Sequence, residues 1–140
     1  MLIEMRRMPI SRRRPIAVAA IIERHDNHIL IVLPPAPDEG LRLWRFPGGL
    51  ANSNEPSEAS MRRMASEQLG VHVEIVVGQP PVTATLDGRE VEMRYFFCGL
   101  VEGEPRPGPY AEIRWVSKGH LREYEFDPPF RPVVEFLLES

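Results

Sequence analysis

The chain has one cysteine, one lysine and no apolar run long enough to cross a membrane, and each shortage narrows what it can be. A single thiol, Cys98, excludes an internal disulfide and suits a reducing compartment, so the cytoplasm is the expected location. Its setting, Tyr95-Phe-Phe-Cys-Gly-Leu100, is apolar, which fits a buried inert thiol better than a nucleophile. The longest apolar run, Ile16 to Ile22, falls far short of the roughly 20 residues of a spanning helix. Met1 to Arg14 lacks the apolar stretch and small-residue cleavage site of a signal peptide. Neither a membrane partner nor a secretory leader is therefore expected. Basic excess is missing too: 17 Lys and Arg against 20 Asp and Glu leave a net charge of −3, so nucleic acid is not expected as a partner. The four histidines, His25, His28, His72 and His120, have no metal-ligand spacing.

What is present describes one globular domain. A length of 140 residues lies within the usual domain size of roughly 100–150 residues, and a chain of that length buries a core without disulfide staples. The basic residues Arg6, Arg7 and Arg12 to Arg14 cluster at the start, so residues 1–14 are expected as a flexible basic arm ahead of a single domain at 15–140. The prolines concentrate in Pro34-Pro35-Ala-Pro37, Pro80-Pro81, Pro105 to Pro109 and Pro128 to Pro132. Apolar segments lie between these clusters, so they mark loops and element ends rather than disorder.

Pro15 to Glu23, an unbroken Ile/Val/Ala run, predicts a strand buried on both faces, and Ile29 to Leu33 predicts its hairpin partner across Asp26-Asn27. Pro34 to Gly40 is expected as a loop over any pocket. Leu41 to Phe46 is short and extended, and Pro47-Gly48-Gly49 breaks it. Glu55 to Leu69 is the best helix candidate, with Asn54 as cap, Pro56 in the first turn and Gly70 at the end. Strands are expected at Val71 to Val77, Val82 to Leu86 and Arg89 to Val101, the last two joined by the hairpin dipeptide Asp87-Gly88. After a Gly/Pro loop from Glu102 to Tyr110 come a strand at Ala111 to Val116, a short turn at Ser117 to Leu121 and a helix at Arg131 to Leu138. Either Ile113 and Trp115 or Arg114 and Val116 face inward. The order predicts an α+β protein, a mixed β-sheet sandwiched between helices.

Within this frame Gly49, Glu55, Arg63, Glu67, Gly70 and Val71 stand at fixed intervals. The segment Gly49-Leu-Ala-Asn-Ser-Asn-Glu55-Pro-Ser-Glu-Ala-Ser-Met-Arg-Arg63-Met-Ala-Ser-Glu67-Gln-Leu-Gly70-Val71 resembles the Nudix box, G-x5-E-x7-R-E-U-x-E-E-x-G-U, with U aliphatic. Leu43-Trp-Arg-Phe-Pro-Gly-Gly49 resembles the lead-in of that family, and the hairpin before and the Glu112-Ile-Arg-Trp-Val116 strand after sit where Nudix (MutT-like) domains have theirs. The resemblance spans nearly the whole chain from Pro15 onward and implies the Nudix fold. It also implies nucleoside diphosphate-X pyrophosphohydrolase chemistry with Mg2+ or Mn2+.

The box departs from the pattern where charge matters. The resemblance places three metal-binding glutamates at positions 64, 67 and 68, and this chain has Met64, Glu67 and Gln68 there. Intervals of three and four put the three positions on one side of a helix, where carboxylates would suit a hard cation. A thioether does not serve Mg2+, and a carboxamide oxygen brings no charge. Glu55 and Arg63 are implied to form an ion pair tying loop to helix, and Gly48, Gly49 and Gly70 to shape the turns. Shape is kept while metal-binding charge is depleted, which points to an enzyme whose catalysis was relaxed or lost. Glu67 is the remaining candidate for catalysis and for metal, joined by Glu112 or Glu104 from the loop before the last strand; solvated loop charge is the alternative reading of those two. Trp44, Phe46 and Phe130 are candidates for ligand contact, with Phe130 standing where related nucleotide-cleaving proteins place an asparagine that reads the purine.

Three readings stay open: a weak or lost hydrolase with a nucleotide-like ligand pocket and no cofactor; a working hydrolase using Glu67, a loop glutamate and Mg2+ or Mn2+; and a non-catalytic protein-interaction module. A homodimer is compatible with each.

Overall fold

Alternation along the central strand decides the layering. In β1 (Ile16–Glu23) every residue from Ala17 to Ile22 is buried. Ala17, Ala19 and Ile21 point to one apolar cluster, and Val18, Ala20 and Ile22 point to another on the opposite face. Successive side chains of a strand alternate, so a strand with both faces covered must be apolar throughout. β2 (His28–Leu33) divides in the same way, Ile29 and Ile31 to the first cluster and Leu30 to the second. The computed structural model describes residues 14–35 and 42–139. The arm expected at residues 1–14 and the loop at Pro34 to Gly40 therefore fall largely outside the described residues. Arg14 itself is described, and its Nε donates to Glu90 Oε1 at 2.7 Å.

The remaining elements are β3 (Gly48–Leu50), helix α1 (Ser57–Met64) continuing into a wider π turn over Ala65–Leu69, β4 (His72–Gly78), β5 (Val82–Leu86), β6 (Arg89–Glu102), β7 (Glu112–Ser117), two short 3-10 turns at Lys118–Glu123 and Pro128–Phe130, and helix α2 (Arg131–Leu138). Among the described residues seven strands form one mixed sheet, five of them in the order β4-β6-β1-β2-β7. β3 pairs antiparallel with β1, and β5 pairs antiparallel with β6. β1 and β6 run parallel, Ile16 opposite Glu92 through Glu23 opposite Gly99. α1 and the π turn cover the second cluster with Met61, Met64, Ala65 and Leu69. α2 covers the first with Val133, Val134 and Leu137. The result is the expected α+β architecture, a mixed sheet between helices.

The turn chemistry follows the sequence. Asn27 (φ 64°) turns β1 into β2, and Asp87 (φ 52°) with Gly88 (φ 76°) turns β5 into β6, the conformation of a two-residue type I′ hairpin. β7 presents both of its alternations: Ile113 and Trp115 pack on the second cluster, and Val116 enters the first. Cys98 is 2% exposed, 3.9 Å from Met61 Sδ, and burial pushes its thiol up to about 12. Among the described residues no helix is long and apolar enough to cross a membrane.

The helix of the box starts later than its spacing predicts. Pro56, with an extended ψ of 149°, is the cap, and no side chain bonds the first turn. Asn54 does not cap, because the preceding turn is organised by another residue. Glu55 Oε1 accepts from Ser60 Oγ at 2.6 Å and from Arg63 Nε at 3.0 Å, fixing residues 52–55 as a turn laid against the helix.

Candidate functional site

The site grows from Gly48. Its segment passes so close to β1 that a Cβ there would lie 1.9 Å from the Val18 carbonyl oxygen, so only glycine fits. Pro47 accepts from Ala20 N at 2.8 Å and holds the segment down. Opposite Gly48 and Gly49 runs the inner side of α1 and its π turn. Met64 is 6% exposed, its Sδ 3.8 Å from where a Cβ on Gly49 would stand. Gln68 Nε2 donates to Gly48 O at 3.4 Å.

Positions 64, 67 and 68 do not share this surface equally. Gln68 falls on the flank facing Gly48. Glu67 falls on the outer flank, its side chain 61% exposed and its Oε1 2.8 Å from Arg63 Nη1. Arg63 also donates through Nη2 to Glu55 Oε1 at 2.8 Å, so one guanidinium ties the loop carboxylate, the helix and Glu67 together. This pairing and the Ser60 hydroxyl hold the Glu55 carboxyl below its ordinary value, the Arg63 hydrogen bond being the larger cause. The other candidate carboxylates have arginine neighbours as well. Glu112 bonds Arg114, and Glu104 lies within electrostatic reach of Arg24. Among the described residues no three of His, Cys, Asp or Glu stand together in a way that would hold a metal ion.

Tyr110 fills the space beside Gln68, and sequence reasoning did not single it out. Its phenol oxygen accepts from Gly48 N at 3.2 Å and donates to Gln68 Oε1 at 2.5 Å. Gly48, Tyr110 and Gln68 thus close a ring in which amide, phenol and carboxamide satisfy one another with no charge. Burial raises the phenol above its ordinary value, against smaller opposing effects of the Gly48 amide and Arg45, so the group stays protonated and donates.

The adjoining cavity is small, about 50 Å³, and mostly apolar. Phe46, Met93, Phe130, Arg45 and Tyr110 are among its lining residues. Phe46 and Phe130 are 2% and 3% exposed and meet edge to face at 6.0 Å, so they are core as much as lining. Trp44 lies elsewhere: it packs edge-on against Tyr124 at 5.3 Å, with the Arg114 guanidinium 5.5 Å from its ring. Arg45 is the second residue that the sequence did not announce. Its Nη2 stands 2.6 Å from both Asp127 Oδ2 and Asp87 Oδ1, joining the β5–β6 turn to the segment before α2. That pairing holds the Asp87 carboxyl below its ordinary value.

A mixed sheet between helices, with the loop–helix ion pair of Glu55 and Arg63 beside the Gly48-Gly49 strand, is the arrangement of a Nudix domain. The NUDIX domain family model matches residues 18–136, and the chain belongs to that family. A curated relative, the "Putative 8-oxo-dGTP diphosphatase 2" of Mycobacterium tuberculosis, is 27% identical over 117 residues, covering 83% of this chain and 82% of the relative. A solved MutT structure from a comparison of Aliivibrio salmonicida and Vibrio cholerae is 26% identical with a TM-score of 0.67, covering 91% of this chain and 98% of that one. The MutT protein of Methanosarcina mazei superposes with a TM-score of 0.76 at 21% identity, covering 92% and 96% of the two chains, a likeness of fold.

Proposed function

We propose that this Nudix-fold protein has weak or lost hydrolase activity and keeps a residual site for a nucleotide-like ligand. One observation carries the reading: the neutral ring of Gly48, Tyr110 and Gln68 occupies the face where the family resemblance calls for carboxylates. A divalent ion needs several hard, charged oxygen donors. This face offers a thioether, a carboxamide already engaged in two hydrogen bonds, and a carboxylate turned outward to Arg63. Among the described residues this face does not fit Mg2+ or Mn2+.

The curated relative's name makes 8-oxo-dGTP the first nucleotide to try, followed by the ordinary nucleoside triphosphates and ADP-ribose. Incubation of the purified protein with each, in Mg2+ and in Mn2+, is expected to give no turnover above background. Metal-dependent release of pyrophosphate or nucleoside monophosphate, abolished by Glu67→Gln, overturns the reading. That outcome supports the second one, a working hydrolase built on Glu67 with Glu112 or Glu104, which membership in a family of hydrolases favours.

A further inference from the structure

Residues 103–110 run from the end of β6 across the end of the π turn to Tyr110, and their fastenings are specific. Arg106 N donates to Leu69 O at 3.0 Å. Gly108, at φ +55°, passes so close that a Cβ there would lie 1.9 Å from the Gln68 carbonyl oxygen. Tyr110 N donates to Pro107 O at 2.9 Å and Ala111 N to Leu33 O at 2.8 Å, which turns the tyrosine inward just before β7 begins. The segment is a strap buckled over the helix end, with Tyr110 as its tongue.

We propose that the Tyr110 phenol is an internal surrogate for a phosphoryl oxygen of a nucleoside phosphate, and that the strap must lift for such a ligand to enter. The inference rests on the reading of a retained nucleotide-like site. With the phenol withdrawn, Gly48 N loses its acceptor and the Gln68 carboxamide loses the donor that orients it. The freed carboxamide can then swing its N–H toward the space the phenol left. Two N–H donors, that of Gly48 and that of the Gln68 carboxamide, would then face a position suited to an oxygen that only accepts. No metal enters this arrangement. A cavity of about 50 Å³ has room for little more than water, against roughly 300–1,000 Å³ for ordinary ligand sites. Ligand binding and strap release are therefore one coupled equilibrium, and the closed fraction lowers the apparent affinity in proportion.

The test is calorimetric titration of ADP, with adenosine as the phosphate-free control, in EDTA. Gly108→Ala places a methyl group against the Gln68 carbonyl and dislodges the strap without removing any polar side chain from the protein. Gly108→Ala and Tyr110→Ala are each expected to bind ADP roughly tenfold more tightly than the parent, with adenosine unchanged. Equal or weaker ADP binding by both variants, or an equal gain for adenosine, overturns the proposal. Tyr110→Phe supplies a second reading that needs no loop rearrangement. It removes only the hydroxyl, and deuterium exchange at the Gly48 amide is expected to quicken roughly tenfold; unchanged protection overturns the surrogate contact. Metal-dependent cleavage by the parent protein would overturn the lost-hydrolase reading alone, because the comparison in EDTA is blind to it.

Discussion

Gln68 differs from glutamate by one nitrogen, and the site uses that nitrogen. Its amide donates to Gly48 O while its oxygen accepts from Tyr110, a pair of roles that a carboxylate cannot fill. Gln68→Glu would set a negative oxygen against a carbonyl and is expected to lower stability by about 1–3 kcal/mol without metal, the cost of a buried acceptor left unpaired. Combined with Met64→Glu, it brings the number of carboxylates at these three positions to three. Mn2+ should then raise the thermal midpoint of the double variant and leave the parent's unmoved, since a ligand that binds only the folded state stabilises it by mass action. A double variant indifferent to Mn2+ would mean that the helix face is misplaced for metal. Met64 makes the same point from the apolar side, for its thioether is buried against Gly49 in a position that charge would have to leave partly open.

At the scale of elements, Arg45 joins parts of the chain that no hydrophobic pattern connects. Its guanidinium bridges Asp87 in the β5–β6 turn and Asp127 ahead of α2, with the Arg45 and Asp127 side chains 19% and 16% exposed. Arg45→Ala is expected to cost about 2–4 kcal/mol by leaving Asp127 half-enclosed without a counter-charge. Arg45→Lys should recover little of that, because an ammonium lacks the planar fork that reaches two carboxylates. Urea midpoints of the two variants measure it, and a loss below 0.5 kcal/mol for alanine would show the clamp to be ornamental (about the noise of a surface change). Elements held by local rules were legible in the sequence. Asp87-Gly88 makes the turn its composition demands, Arg131–Leu138 is a helix as its spacing predicts, and the apolar run of β1 is buried on both faces. Contacts between distant segments were not. Tyr110 meets Gln68 across 42 positions of sequence from a loop with no period, and Arg45 answers Asp127 across 82. The start of α1 lies later than its spacing predicts because Glu55, engaged by Ser60 and Arg63, organises the turn ahead of the helix in place of an Asn54 cap.

At the scale of the whole molecule, the shifted carboxylates among the described residues move in one direction. Arg24, chiefly through its hydrogen bond, lowers Asp26 to about 2, and Arg63 and Arg45 lower Glu55 and Asp87. A carboxylate whose folded value lies below its unfolded one contributes stability in full above the unfolded value and loses it as pH falls through the folded one. With ordinary values of 4.5 for Glu55 and 3.8 for the aspartates, stability should hold at neutral pH and decline from about pH 4.5 toward pH 2. Glu55→Gln should flatten the upper part of that decline. Urea midpoints at several pH values would show it, and a midpoint constant from pH 5 to pH 3 would contradict the assignment.

The pairing of β1 with β6 also sets an order in time. β5 and β6 meet across two residues and β1 and β2 across a short turn, so those hairpins can close early. The pairing of β1 with β6 sets Ile16 opposite Glu92 and Ala19 opposite Tyr95, far apart in sequence, and is expected to form after those hairpins. A loop of that length is closed before its contacts return anything, which slows folding toward the millisecond-to-second range of non-local sheets. During that interval a strand that is apolar on both faces has no neighbour along one edge, and the seam between β1 and β6 is where a slow-folding variant is expected to aggregate first.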